Sequence, residues 1–482
     1  MKRNLLLVSA SVLAFSATAA MADSNRVYLN QYDSSQDATI TQNGSSNSVG
    51  AYNTNSGFDQ GNGAGTGDNQ LSITQNGNGN SVGRDKKGFQ SGSTNTANIT
   101  QNGKNSDVEL QQNGNNNGQV PGLAWGNGGY NLIVQDTTSD GSKVDLGQGT
   151  SNGVFDIGQG GKNNTTTAFQ SGDGSVNYLF VRQATTVASN IGSLASAPGG
   201  GNNNTINANQ NAIGGYTYAS LAQGGGNGNS INVSQSGAVL SADVNQNGNF
   251  NLFQSSQSGS RNGVGTDVGA YNDTPITQTG FGNRYFNTQV GSNATANGSQ
   301  NGVANRVTNN QSGDQNTLFG TQKGAFNAVD TGQSDTNNKL TYSQDGQTTF
   351  GGFNYIYNSQ YGQNAKADID QKGSFNVAYN YQSGNSAELT ASSTGFGNYI
   401  YNSQSGDSTA TVTQNGSWNY SHGSQAGGAG NTATIDQSNV GNRSTYSQVG
   451  STNTLTVTQV HNGNLSNVNQ NGTGNTATIS QH

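Results

Sequence analysis

The chain has 482 residues, of which 29% are hydrophobic, 9% are charged and 72 are glycine, with no cysteine and a formal net charge of -7. One large apolar core cannot be assembled from so little hydrophobic material, thiol and disulfide chemistry are excluded, and no basic stripe is available for nucleic acid. Low net charge per residue, together with the periodicity described below, argues against a chain that is disordered throughout.

The N-terminus has the three parts of a secretory signal. Lys2 and Arg3 are basic, Leu5 to Phe15 is apolar, and Ala20-Met21-Ala22 is a small-x-small cleavage site. Residues 1–22 are therefore expected to be removed before Asp23, leaving 23–482 as a secreted chain. The apolar run is too short to span a membrane, and no later segment approaches that length.

From there the chain is organised by glutamine. Asn25, Val27, Leu29 and Gln31 alternate as in a strand, in phase with Gln42. Gln278, Gln289, Gln300, Gln311, Gln322, Gln333 and Gln344 then follow at eleven-residue steps. Gln360, Gln371, Gln382, Gln404, Gln414 and Gln425 continue close to that beat, and Gln437, Gln448, Gln459, Gln470 and Gln481 restore it. The segments 113–147, 184–209 and 258–277 are weakly patterned, as is the long step from Gln344 to Gln360; they read as loop insertions.

The last unit shows what one beat encodes. Asn475, Ala477, Ile479 and Gln481 share one face of a strand, and Thr476, Thr478 and Ser480 share the other. The preceding Asn471-Gly472-Thr473-Gly474 is turn chemistry. Helices are excluded by the Gly and Asn that would fall inside each one. Two half-repeats make a strand–turn–strand of about 22 residues whose inner faces cover each other, and stacking such units gives a β-solenoid. The expected fold is all-β, with about 18 rungs and a length of roughly 85 Å at about 4.8 Å per rung. Stacked glutamines can then donate to one neighbour and accept from the other, forming an amide ladder. The asparagines between ladders read as filling solvated turns.

Two surface stripes stand out. Tyr357, Tyr379 and Tyr401 recur at 22 residues, three before a ladder Gln, flanked by Tyr355 and Tyr399; they read as an exposed stack that either braces the sheet or contacts a ligand. On the opposite sheet Thr409/Thr411/Thr413, Thr432/Thr434, Thr454/Thr456/Thr458 and Thr476/Thr478 form a Thr-x-Thr array, a feature of strands in general and of ice-binding surfaces in particular. Chemistry-bearing sets are missing. His422, His461 and His482 lack metal-site spacing, Gly224 to Ser230 lacks the Asp of a calcium-binding nonapeptide, and no nucleophile elbow occurs. No catalytic, cofactor or metal site is expected.

The unit Ser408-Thr-Ala410-Thr-Val412-Thr-Gln414-Asn-Gly416-Ser-Trp-Asn419-Tyr-Ser-His-Gly-Ser-Gln425 resembles the curlin repeat of curli subunits at its keyed Ser, Gln, Gly, Asn and Gln positions. Gln360, Gly362, Gln371, Gly373, Asn376 and Gln382 fit another copy. The resemblance implies a functional-amyloid subunit, secreted through a curli-type pore and assembling with itself or other curlin-like subunits into surface fibres. Such fibres support biofilm matrix and adhesion. This chain departs from the family pattern in having several times more repeats than the usual subunit, and no Gly-rich secretion segment before the first strand. The expected mechanism is templated strand addition at uncapped ends, since Gln481 is followed only by His482. The competing reading is a solenoid adhesin that does not polymerise.

Overall fold

The computed structural model describes residues 24–32, 35–50, 57–61, 67–84, 87–115, 117, 131–150, 153–172, 176–184, 201–265, 275–346 and 352–482. The expected signal segment at 1–22 lies outside the described residues.

Every regular element among them is a β-strand. Consecutive long strands alternate between two sheets, and each pairs in parallel with the strand one rung away. Arg284–Ser292 and Arg306–Asp314 pair residue for residue in the first sheet, with Gln289 against Gln311. Thr295–Val303 and Thr317–Ala325 pair likewise in the second, with Gln300 against Gln322. One rung is thus a strand in each sheet joined by a turn, and a second turn leads to the next rung. Seventeen side-chain amide bonds in the first sheet link Gln31 through to Gln470, which sets eighteen rungs. The protein is a β-solenoid.

The binary pattern explains why so little hydrophobic material suffices. In Arg306–Asp314, Val307, Asn309 and Gln311 are buried while Thr308 and Asn310 face outward. Each inward position stacks on its counterpart in the next rung, so the first sheet carries a column Val307, Val329, Ile356, Ala378, Ile400. The second carries Leu318, Leu340, Ala367, Leu389, Ala410. A single narrow core runs the length of the stack, and no rung could bury its inner face alone.

The turns need glycine for a stated reason. Gly302 has φ +134°, and a Cβ there would collide with the carbonyl oxygen of Gly324 in the next rung. The asparagines beside these turns correct the expectation that they merely fill solvated loops. Asn376 is fully buried; its Nδ2 donates to Lys372 O at 3.0 Å and Gly395 O at 3.2 Å, and its Oδ1 accepts the Asn398 N–H at 3.2 Å. The same stitch recurs at Asn305 and Asn453. Stacking removes these turns from water, so the amide must bond to the neighbouring rungs.

The weakly patterned segments are only partly insertions. Asn131–Gln135 lies within 113–147 and Lys143–Thr150 starts there, Thr205–Ala212 starts within 184–209, and Gly263–Val264 and Ile276–Phe281 draw on 258–277. Added residues shift the spacing between glutamines, yet pairing recovers its register: Gln112 still stacks on Gln148 and Gln135 on Gln159. Residues 118–130, 185–200 and 266–274 lie outside the described set.

At both ends of the described stack, a second-sheet strand pairs on one side only. Asp37–Gln42 meets Gln70–Gln75, and Thr476–Gln481 meets Thr454–Gln459. Ala38, Ile40, Ala477 and Ile479 are consequently half-buried, whereas Leu455 and Val457 are fully buried one rung inward.

Candidate functional site

The feature that repeats on every rung is the glutamine ladder, and it satisfies the whole amide. Gln322 accepts from Gln300 Nε2 at 2.8 Å and donates from its own Nε2 to Gln344 Oε1 at 2.8 Å. The second hydrogen of that Nε2 reaches Arg306 O at 3.0 Å, on the facing sheet. The bond along the axis ties rung to rung, and the bond across the core ties sheet to sheet. A buried amide left unpaired would cost roughly 1–3 kcal/mol, so the ladder turns a liability into the main polar contact of the interior.

The glutamines that the sequence places on the beat between 278 and 481 all fall on these two ladders. Gln289, Gln311, Gln333, Gln360, Gln382, Gln404, Gln425, Gln448 and Gln470 share the first sheet. Gln278, Gln300, Gln322, Gln344 and Gln371 share the second, which resumes with Gln414, Gln437, Gln459 and Gln481. Between Gln371 and Gln414 the ladder position is Ser393, in register with both. Ser393 Oγ and Gln414 Oε1 are buried there without a partner. The skipped beat between Gln382 and Gln404 was the sequence signal for this interruption.

A short asparagine ladder accompanies the glutamines in the first sheet and was not anticipated. Asn402 Nδ2 donates to Asn380 Oδ1 at 3.0 Å, and Asn380 Nδ2 to Asn358 Oδ1 at 2.7 Å. All three are fully buried. Alternation alone could have placed them inside, because each lies two residues before a ladder Gln.

The tyrosine stripe lies on the outer face of the first sheet. Tyr357, Tyr379, Tyr401 and His422 align in one column, and Tyr355, Tyr399 and Tyr420 in another interrupted by Val377. Rather than standing free, Tyr357, Tyr379 and Tyr401 are half-buried by one another and by Tyr381. His422 stacks on Tyr401 with centroids 4.4 Å apart, and Arg443 lies 4.9 Å over Tyr420. Burial, and then the Arg443 charge, hold the His422 imidazole below its ordinary value. At the other end Tyr355 donates to Asp330 Oδ2 at 3.1 Å, and Asp330 pairs with Arg306. Desolvation first, then the nearby Asp330 charge, push the Tyr355 phenol upward.

The threonine array occupies the outer face of the second sheet. Thr409, Thr432, Thr454 and Thr476 align, as do Thr411, Thr434, Thr456 and Thr478. In the third column Asp436 stands between Thr413 and Thr458. Further toward the N-terminus, the same outer face holds an Asp156–Arg182 ion pair at 2.9 Å and Asp243, whose carboxyl burial pushes up to about 7 against an opposing hydrogen bond from Ser220. Among the described residues no group of three His, Cys, Asp or Glu could hold a metal, and no helix is long and apolar enough to cross a membrane.

No curated protein matches this chain. Residues 406–438, which contain Gln414, Gly416, Asn419, Gln425 and Gln437 of the stack just described, match the family model of the curlin associated repeat.

Proposed function

We propose that this protein is a secreted structural subunit of curli-like amyloid fibres, acting in biofilm matrix and surface adhesion outside the bacterial cell. The observation that carries this reading is the pair of glutamine ladders. Apart from the Ser393 rung, each rung offers the next the same amide donors and acceptors and continues the apolar columns, so the contact that builds the solenoid is also one that another copy can supply. Growth then proceeds by templated strand addition, with this chain or other curlin-like chains as partners and a curli-type pore as the export route. Its role is structural, not catalytic.

The test is to hold purified mature protein at micromolar concentration and follow sedimentation and thioflavin fluorescence. Fibres with cross-β spacing are expected; a chain that stays monomeric for days overturns the reading. The tyrosine face favours a second reading, a solenoid adhesin that does not polymerise. For that protein the same sedimentation run shows no growth, while binding to surface polysaccharide depends on Tyr357, Tyr379 and Tyr401.

A further inference from the structure

The turns leading from the second sheet back to the first pass through one residue in the left-handed region. On early rungs this place is held by residues suited to it, Ser46, Gly79, Asn105, Asn163 and Asn203. From the middle of the chain onward it is held on five rungs by bulky aromatics, Phe250, Phe326, Phe353, Phe375 and Trp418, with φ between +31° and +60°, and on the others by Gly282, Ala304, Gly397, Gly441 and Gly463. Large side chains adopt this conformation rarely and at a cost in strain.

On four of the intervening rungs an exposed apolar side chain stands one residue before the left-handed place. Where the place is Gly282 or Gly397, an aromatic stands one residue earlier, as Phe281 or Phe396. Gly397 is also the place over which the Trp418 ring lies. The rings form a continuous ridge. Phe326, Phe353, Phe375, Phe396 and Trp418 are spaced 4.9, 5.1, 5.1 and 5.2 Å apart, and Phe250 meets Phe281 at 5.4 Å. Each ring is still 39–61% exposed. Val303 and Val440 fill out the ridge on neighbouring rungs and are exposed as well.

The opposite edge of the same rungs is an internal control. Its turns have the same left-handed residue and the same backbone bond, as in Phe326 N–H to Val303 O against Asn337 N–H to Asp314 O. There the residues are Val239, Arg261, Asn293, Gln315, Asn337, Asn364 and Ser386, none of them aromatic. Turn geometry therefore does not call for aromatic side chains, and over these rungs the left-handed place is aromatic on one edge alone.

We propose that this aromatic ridge is a lateral docking surface for a second copy of the chain, the two solenoids lying side by side with ridge on ridge. Two arguments select that occupant. A partner in contact at successive rungs from Phe250 to Val440 must share the rung spacing, and a second solenoid does. The area also suffices: seven half-exposed rings present on the order of 700 Å² per copy, or about 1,400 Å² for the pair, within the range of about 1,200–2,000 Å² for specific interfaces. The contact is self-complementary and closes as a dimer, as two-fold interfaces do. It is separate from axial growth, which uses the rung faces.

The test compares full-length mature protein with a Phe326→Ser, Phe353→Ser, Phe375→Ser, Trp418→Asn variant, which places early-rung residue types at the same turns. Sedimentation velocity of fresh protein and mass per length of any fibres are both measured. Paired wild type with twice the mass per length of a single solenoid, and at least a tenfold weaker pairing in the variant, are expected. Circular dichroism and thermal melting establish that the variant is folded, and Phe375→Asp alone gives a milder version should it not be. Unpaired wild type at ten micromolar, or a folded variant that pairs as well as wild type, overturns the proposal. So does flotation of wild type with phosphatidylcholine vesicles that the variant loses, which would assign the ridge to a lipid surface. Failure of fibre growth with pairing intact would leave the ridge standing and count against the amyloid reading alone.

Discussion

Gln414 stacks directly on Ser393 in the second sheet, and its buried Oε1 has no donor because serine cannot reach across the rung. Twelve consecutive amide bonds precede this point, from Gln42 to Gln371, and three follow it, from Gln414 to Gln481. Ser393→Gln should close the gap, giving Gln371 an acceptor and Gln414 a donor. An increase of about 1–3 kcal/mol in unfolding free energy is expected from pairing these groups, read as a higher denaturant midpoint. A lower midpoint would mean the neighbouring side chains have repacked into the space.

In the intact part of the ladder the reverse substitution is severe. Gln322→Ala strips Gln300 of its acceptor and Gln344 of its donor, and leaves a cavity between the sheets. A loss of about 2–5 kcal/mol is expected. Gln322→Met keeps most of the volume and should still cost more than about 1 kcal/mol, because the amide partners remain orphaned. Gln481→Ala in the outermost described rung, where the side chain is half-exposed, should cost less than about 1 kcal/mol. Equal effects at the two positions would remove the ladder from the account of stability.

Glycine substitutions should separate two roles. Gly302→Ala places a methyl group against the Gly324 carbonyl at a left-handed φ and should destabilise by more than about 2 kcal/mol. Gly332 lies in a strand, where an added Cβ meets nothing within 4 Å. Gly332→Ala should be neutral or stabilising by up to about 1 kcal/mol. Thermal melts of the two variants side by side check this.

Asp243 supplies a pH signature. Burial raises its folded-state carboxyl from the ordinary 3.8 to about 7, so the folded chain holds a proton that the unfolded chain releases. Its contribution to stability is fullest below about pH 4, falls as pH rises through 4 to 7, and is flat above that. The total change is at most a few kcal/mol, since the side chain keeps some contact with water. Asp243→Asn should flatten this part of the curve; an unchanged slope would place the titration elsewhere.

How far the fold was legible depended on whether a residue had competing uses. A glutamine on a fixed beat beside Ile and Ala has few reasons to exist outside a stacked strand, so the solenoid and its two ladders could be read from Gln278 to Gln344 directly. Asn376 and Asn305 were misread because asparagine also suits open turns, and only stacking reveals that those turns are dry. Strands such as Asn131–Gln135 were obscured because insertions alter the spacing in sequence while leaving register in space intact. The aromatic ridge escaped for a related reason. Its side chains alternate between the left-handed place and the residue before it, as Phe396 and Trp418 do, so no single period connects them. The tyrosine columns were legible by their 22-residue period, but their mutual burial was not.

In the proposed fibre, rungs of one copy continue the ladder of another end to end. Mass per length of the assembled fibres, measured by scanning transmission electron microscopy, tests it most directly. End-to-end solenoids predict one chain, or two where ridges pair, per roughly 85 Å of fibre. A chain that never assembles, or fibres holding one chain per about 4.8 Å as flat in-register stacks do, would contradict it.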